Sequence, residues 1–180
     1  MNNVIQVVVA AGGLGTRMAS ITTNQPKILA PIKDGVFLDY FLNKWAEYGC
    51  THMHFLLGYG ATIIWNRIQE WKIKFNSKIY FSATIEHIPL GVIGALNFAK
   101  SSLFPEFILT YGDVYPTILP DNLFKNMDNQ SMGCLAICHK NISNESPNIE
   151  IKDGRITKYR KGDQGLLYVD LGMIFIKKKR

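Results

Sequence analysis

Short apolar runs alternate with longer amphipathic stretches along this chain, and that rhythm restricts the folds open to it more than any other feature. Val4–Ala10 is a valine-rich run of strand length. "HMHFLLG", "KIYFSAT", "FILTYGD" and "GCLAICHK" are further strand-like runs. Between them, "GVFLDYFLNKWAEYG" places Phe37, Phe41, Leu42 and Trp45 on one helical face and stops at Gly49. "ATIIWNRIQEWKIKF" spaces Ile64, Ile68 and Trp71 as a helix, "GVIGALNFAKSSL" reads as a helix opened after Pro89, and "PDNLFKNM" reads as a short one. Strands alternating with helices predict a mostly parallel sheet covered on both faces and joined by right-handed crossovers. The expected class is α/β, a three-layer αβα Rossmann-like fold. Late in the chain the rhythm changes. "NIEIKDGRITKYRK" reads as two strands about Asp153-Gly154, an added antiparallel hairpin, and "LLYVDLGMIFIKK" as a last strand. With no repeat or linker, the expectation is a single domain over residues 1–180.

Composition narrows the function classes. A hydrophobic fraction of 47% suffices for a sizeable core. No apolar run approaches the roughly 18 residues of a membrane helix. The start, "MNNVIQVVVA", has no basic leader, so no signal peptide is expected. The cysteines Cys50, Cys134 and Cys138 are odd in number and widely spaced, which argues against a disulfide framework and for the cytoplasm. Cys134 and Cys138 sit in an apolar run and read as packing residues rather than zinc ligands. The net charge of +6 owes much to the terminal "IKKKR". The other basic residues are scattered, without a stripe interleaved with aromatics, so an anionic small molecule suits the chain better than nucleic acid. The aromatics of "WNRIQEW" are assigned to the core, with a homo-oligomer left open.

Chemistry concentrates after the first strand, in "AGGLGTRM". Glycines let the backbone approach a ligand closely, and successive N–H groups form an anion-binding nest. Arg17 could add a bidentate contact to phosphate oxygens. A ligand-free tight turn and a dinucleotide-binding turn are the competing readings. The second is weakened by Met18 at the third small-residue position and by Asp34 lying in a turn, "PIKDG". A P-loop string is missing. Ligands of parallel sheets sit beyond the carboxyl ends of the strands. The glycine turn follows the first strand and Asp113 the fourth, so both are expected on one edge.

The compound pattern Gly12, Gly13, Gly15, Thr16, Arg17, then Pro26, Lys27, Leu29 and Pro31, resembles the opening of the sugar-1-phosphate nucleotidyltransferases, the nucleotide-sugar pyrophosphorylases. "EHIPLGVIGAL", "TYGDV" and "GRITKYRKGDQGLLYVDLGMIFIKK" resemble later segments of that family in the right order. The resemblance covers nearly the whole chain and is strongest in its opening part. It implies attack of a sugar 1-phosphate oxygen on the α-phosphorus of a nucleoside triphosphate, with release of pyrophosphate. Positioning and charge neutralisation carry such a reaction, and no side-chain nucleophile is needed.

The family's roles then fall on matching residues. Nucleotide binding is implied for Ala11, Gly12, Gly13, Gly15, Thr16, Glu86, Pro89, Leu90 and Gly91. Arg17 would take the departing pyrophosphate, Lys27 would bridge the reacting phosphates, and Asp113 would hold Mg²⁺. Lys161, with Lys158 as alternative, would bind the sugar phosphate, and Asp170 and Gly172 the sugar. The resemblance puts Glu86 at the base. A carboxylate only accepts hydrogen bonds, so guanine, with two adjacent donors, is preferred to cytosine, and both to uracil or thymine. That points to the guanylyltransferase-type members, with a mannose- or heptose-type acceptor, working in glycan or polysaccharide synthesis.

The chain departs from the pattern at Val92 and Ile93, which bring bulk near the expected nucleoside, and at its end, where the family supplies a second metal carboxylate. The rival expectation is a truncated, inactive nucleotide- or sugar-phosphate-binding domain with a regulatory or structural role.

Overall fold

The computed structural model of the chain describes residues 6–13, 25–128, 130–163 and 165–178. Its centre is an eight-stranded sheet. One edge is β5 (Tyr80–Ile85), followed by β4 (His52–Leu57), β1 (Gln6–Ala11) and β6 (Glu106–Tyr111), all parallel. Beyond β6 comes β10 (Tyr168–Lys177), antiparallel to it, and β10 also pairs antiparallel with β7 (Gly133–His139). The hairpin of β8 (Ile149–Lys152) and β9 (Arg155–Tyr159) joins through β8. Its turn residues Asp153 and Gly154 take φ of 50° and 72°, the left-handed geometry expected of an Asp-Gly hairpin. A separate two-stranded ribbon, β2 (Pro31–Ile32) and β3 (Gly35–Val36), encloses the "PIKDG" turn.

Both faces of the sheet carry helices, as the rhythm predicts. On one face Val7, Val9, Phe55 and Ile108 pack with Leu38, Phe41, Leu42 and Trp45 of α1 (Phe37–Glu47) and with Ile64, Ile68 and Trp71 of α2 (Ala61–Lys74). α4 (Pro120–Lys125) adds Leu123 to the same core. On the other face Val8, Leu56, Phe107 and Leu109 meet Val92, Ala95 and Leu96 of α3 (Gly91–Phe98). Val7, Val8 and Val9 are all buried, which is why β1 reads as an unbroken apolar run instead of an alternation. Trp71 is buried in the first core, so that aromatic of the "WNRIQEW" helix packs inward. Cys134 and Cys138 are free thiols, and burial pushes the Cys50 thiol up to about 12. Among the described residues, no helix is long and apolar enough to cross a membrane.

One buried polar group adds a pH dependence. His54 of β4 contacts Ser82 Oγ through Nδ1 (2.8 Å) and Thr84 Oγ1 through Nε2 (3.3 Å), both on β5. Burial lowers its pKa below the usual histidine value. The unfolded chain, with a histidine near pKa ~6.5, therefore binds this proton more readily than the fold. The contribution is complete above about pH 6.5 and is lost as pH falls through the lowered folded value. Urea midpoints at pH 7.5 and pH 5 should differ more for the unaltered chain than for His54→Gln. Equal differences would remove His54 from the acid sensitivity.

Candidate active site

The carboxyl ends of β1 and β6 open on the same edge, and a cavity of about 330 Å³ lies there. Its floor is Ala10, Ala11, Gly12 and Gly13 at the end of β1. Pro26, Lys27 and Ile28 close one side, and Tyr111, Gly112 and Asp113 follow from β6. Glu86, Pro89, Gly91, Val92 and Ala95, from the loop after β5 and from α3, also line it.

Local geometry explains how each group is held. Lys27 opens a 3-10 turn, Lys27–Leu29, whose Ile28 and Leu29 are buried in the larger core. Pro26, just before it, sits over Gly60, whose φ is +69°. A Cβ at Gly60 would stand 2.3 Å from Pro26 Cγ, so the turn after β4 sets the height of the segment that carries Lys27. Lys27 Nζ lies 3.6 Å from Asp113 Oδ2, with side-chain exposures of 28% and 51%. Gly112, before Asp113, donates its N–H to Ala10 O (2.9 Å), which fastens the end of β6 to the glycine turn.

Glu86 lies across the main chain of two loops. A Cβ at Gly12 would stand 2.9 Å from Glu86 Oε1, and one at Gly58 would be 3.3 Å from the same oxygen. Glu86 Oε2 accepts the N–H of Leu90 at 3.2 Å. Leu90 itself does not line the cavity but steadies a carboxylate that does.

The acceptor-side residues are arranged differently. Asp170 and Gly172 lie on β10 at a register shift between Asp170 and Ile174. Asp170 Oδ1 accepts the Gly172 N–H (2.6 Å), and Oδ2 accepts the Tyr159 hydroxyl (2.6 Å). Lys161 is exposed in the turn after β9 and is not among the cavity's lining residues. Lys158, the alternative, pairs with Asp163 (2.6 Å). Gly15, Thr16 and Arg17 lie outside the described residues. Tyr111 and Gly58 stand within the quoted stretches "TYGDV" and "HMHFLLG" but were not singled out, because their importance comes from contacts between distant loops. Among the described residues, no group of three or more His, Cys, Asp or Glu could hold a metal ion. Asp113 offers one hard oxygen ligand at the cavity rim, which suits Mg²⁺ when phosphate oxygens complete its shell.

No family model matches the chain. It is 32% identical over 138 residues to a D-glycero-alpha-D-manno-heptose 1-phosphate guanylyltransferase of Campylobacter jejuni, covering 76% of this chain and 59% of that protein. It is 28% identical over 134 residues to a putative mannose-1-phosphate guanyltransferase of Sulfolobus acidocaldarius, covering 73% and 36%. The chain thus spans less than two thirds of the length of both curated relatives. Its fold matches the crystal structure of HddC from Yersinia pseudotuberculosis with a TM-score of 0.76 at 24% identity, over 96% of this chain and 76% of that one. HddC has also been solved in complex with GMP-PN. By sequence the chain is similar to sugar-1-phosphate guanylyltransferases over about three quarters of its own length, and by fold it is similar to HddC.

Proposed function

We propose that the chain carries the catalytic core of a cytoplasmic sugar-1-phosphate nucleotidyltransferase. It takes GTP and a mannose- or heptose-type sugar 1-phosphate and forms a nucleotide-activated sugar for glycan or polysaccharide synthesis. The observation that supports this most is the meeting of Lys27 and Asp113, 3.6 Å apart, at a cavity that Gly12, Gly13 and Glu86 line. A cation, a carboxylate and exposed backbone amides on one sheet edge answer the main obstacle of the reaction, the repulsion of two polyanions.

In this reading an oxygen of the sugar phosphate attacks the α-phosphorus in line. One P–O bond forms, and the bond to the pyrophosphate leaving group breaks. The amides near Gly12 and Gly13 hold triphosphate oxygens. Lys27, on a flexible stem, follows the charge from the α-phosphate towards the leaving group. Arg17 is assigned the departing pyrophosphate on the sequence resemblance alone. Asp113 would hold Mg²⁺, which screens phosphate charge when bound. Asp170 and Gly172 are assigned the sugar. Lys161 is assigned its phosphate, again on the sequence resemblance. Glu86 supplies the acceptor for the N1–H and 2-amino group of guanine, with its second oxygen already steadied by Leu90.

The test is a pyrophosphate-release assay with Mg²⁺, the four nucleoside triphosphates and a panel of sugar 1-phosphates. GTP should exceed UTP by at least tenfold. Glu86→Gln should reduce that preference about tenfold, the value of one charge-assisted hydrogen bond. A preference for UTP would defeat the assignment of Glu86. GTP binding without turnover on any partner would replace the enzyme with an inactive nucleotide-binding domain.

A further inference from the structure

β5 (Tyr80–Ile85) is an edge of the central sheet, and among the described residues β4 is its only strand partner. Tyr80 and Glu86 both donate their N–H towards β4, to Thr51 O and Leu57 O, each at 2.9 Å. Main-chain direction alternates along a strand, so Ser82 and Thr84 face β4 as well. Phe81, Ala83 and Ile85 therefore turn their N–H and C=O groups outwards. Open edges are normally blunted by a charge, a proline or a bulge. "YFSATI" has no charge and no proline, and its register with β4 runs unbroken from Tyr80 to Ile85. Lys72 of α2 lies over the Phe81 ring, 5.9 Å from its centroid, and so above the helical face of the sheet instead of in the row of outward amides. Tyr80 is 60% exposed and Ile85 46%.

This edge complements itself. A two-fold axis at Ala83 lays a second copy of the strand antiparallel beside the first. Phe81 then faces Ile85 of the second copy, Ala83 faces Ala83, and Ile85 faces Phe81. These are the residues with outward main-chain groups, and each such pair exchanges two hydrogen bonds. No other centre within the strand engages all three. The small Ala83 sits at the axis, and the pairs beside it join an aromatic ring to a β-branched side chain, a favourable cross-strand combination. The end charges agree. Exposed Lys78 precedes the strand and Glu86 follows it. Antiparallel pairing sets Glu86 opposite Tyr80 of the second copy and diagonal to its Lys78, at both ends of the ladder. A parallel neighbour would set like charge against like.

We infer that the β5 edge is a homodimer interface: two copies of this chain join β5 to β5 about a two-fold axis at Ala83, and one sheet runs through both. A second copy is the occupant this pattern selects, because the strand's own sequence satisfies both the hydrogen-bond register and the end charges. The arrangement also brings each copy to Glu86, which lines the other's cavity.

Sedimentation velocity of the unaltered chain and of three variants tests the interface, with thermal melts to check folding. The unaltered chain should be mostly dimeric at about 50 μM and should dissociate on dilution, as small interfaces do. Ile85→Lys sets a charge opposite Phe81 of the second copy and should weaken the dimer by about tenfold or more. Ala83→Pro removes an outward donor at the axis and no bond to β4, and should weaken it as much. Ile73→Lys, at an 80% exposed position of α2, should leave the dimer within about twofold. Should Ala83→Pro fail to fold, Ile85→Lys decides alone. A monomeric unaltered chain at that concentration overturns the interface. So does a dimer that survives Ile85→Lys, an assembly of more than two copies, or equal weakening by Ile73→Lys. Each of these outcomes leaves the proposed function standing, since turnover and nucleotide binding test that separately.

Discussion

Lys27→Ala is expected to lower pyrophosphate release by about 10²–10³-fold, the usual cost of removing one well-placed charge partner from a polyanionic transition state. Lys27 does little for the stability of the fold. Its partner oxygen is 3.6 Å away, and the Asp113 side chain is half exposed. Ion pairs of that kind contribute about 0–1 kcal/mol to stability. The melting temperature of Lys27→Ala should therefore stay close to that of the unaltered chain. A large fall in turnover with an intact fold separates a catalytic lysine from a structural one. Asp113→Asn should cost a similar factor. The double variant should lose much less than the product of the two, because groups acting on one phosphate cluster are not additive. Full additivity, or unchanged turnover in either single variant, would show that the pair does not act at the reacting phosphates.

The largest effect on stability is expected for Trp45→Ala, about 3–5 kcal/mol from lost contacts and the cavity left behind. Trp45 is fully buried on α1. Its ring meets Phe41 edge-on at 6.3 Å and Tyr48 at 5.9 Å. Domains of this size are stable by only about 5–15 kcal/mol, so a sizeable share of the total is at stake. The indole Nε1 has no hydrogen-bond partner among the described residues. Trp45→Phe discards that orphan donor while keeping an aromatic ring, and should cost clearly less than the alanine variant. Urea denaturation of the two variants measures both claims, and equal costs would contradict the packing account. The loss should also reach the candidate site. α1 starts at Phe37, whose N–H donates to Ala30 O at 2.8 Å, and Ile28 and Leu29 share the core with Trp45. Loosening α1 therefore loosens the turn that carries Lys27.

What could be read in advance was local or one-dimensional. Valine-rich runs announce buried strands because burial on both faces demands apolar residues at every position, and β1 is such a strand. Phe41, Leu42 and Trp45 mark the inner face of α1 because helical periodicity projects directly onto sequence. Asp153-Gly154 marks its hairpin because a two-residue turn is a local conformational choice. The convergence of the glycine turn with Asp113 followed from the parallel sheet alone. The place of β10 was not legible. Nothing in "LLYVDLGMIFIKK" says that it lies between β6 and β7, since strand partners are chosen by long-range packing. For the same reason the clasp of Glu86 over Gly12 and Gly58, and the packing of Tyr111 against Gly172, emerge only once separate loops are brought together. Lys161 is assigned to the sugar phosphate by a motif match, and its place in the turn after β9, outside the cavity's lining, could not be read from that match.

The position of β10 has a consequence for biosynthesis. Residues 168–177 bridge β6 and β7, so neither neighbour can complete its hydrogen bonds until this segment has left the ribosome. At about 5–20 residues per second, the earlier strands wait on the order of 2–13 seconds with their apolar flanks open. Nascent chains stalled just short of this segment should therefore engage chaperones, and those extended past it should let them go.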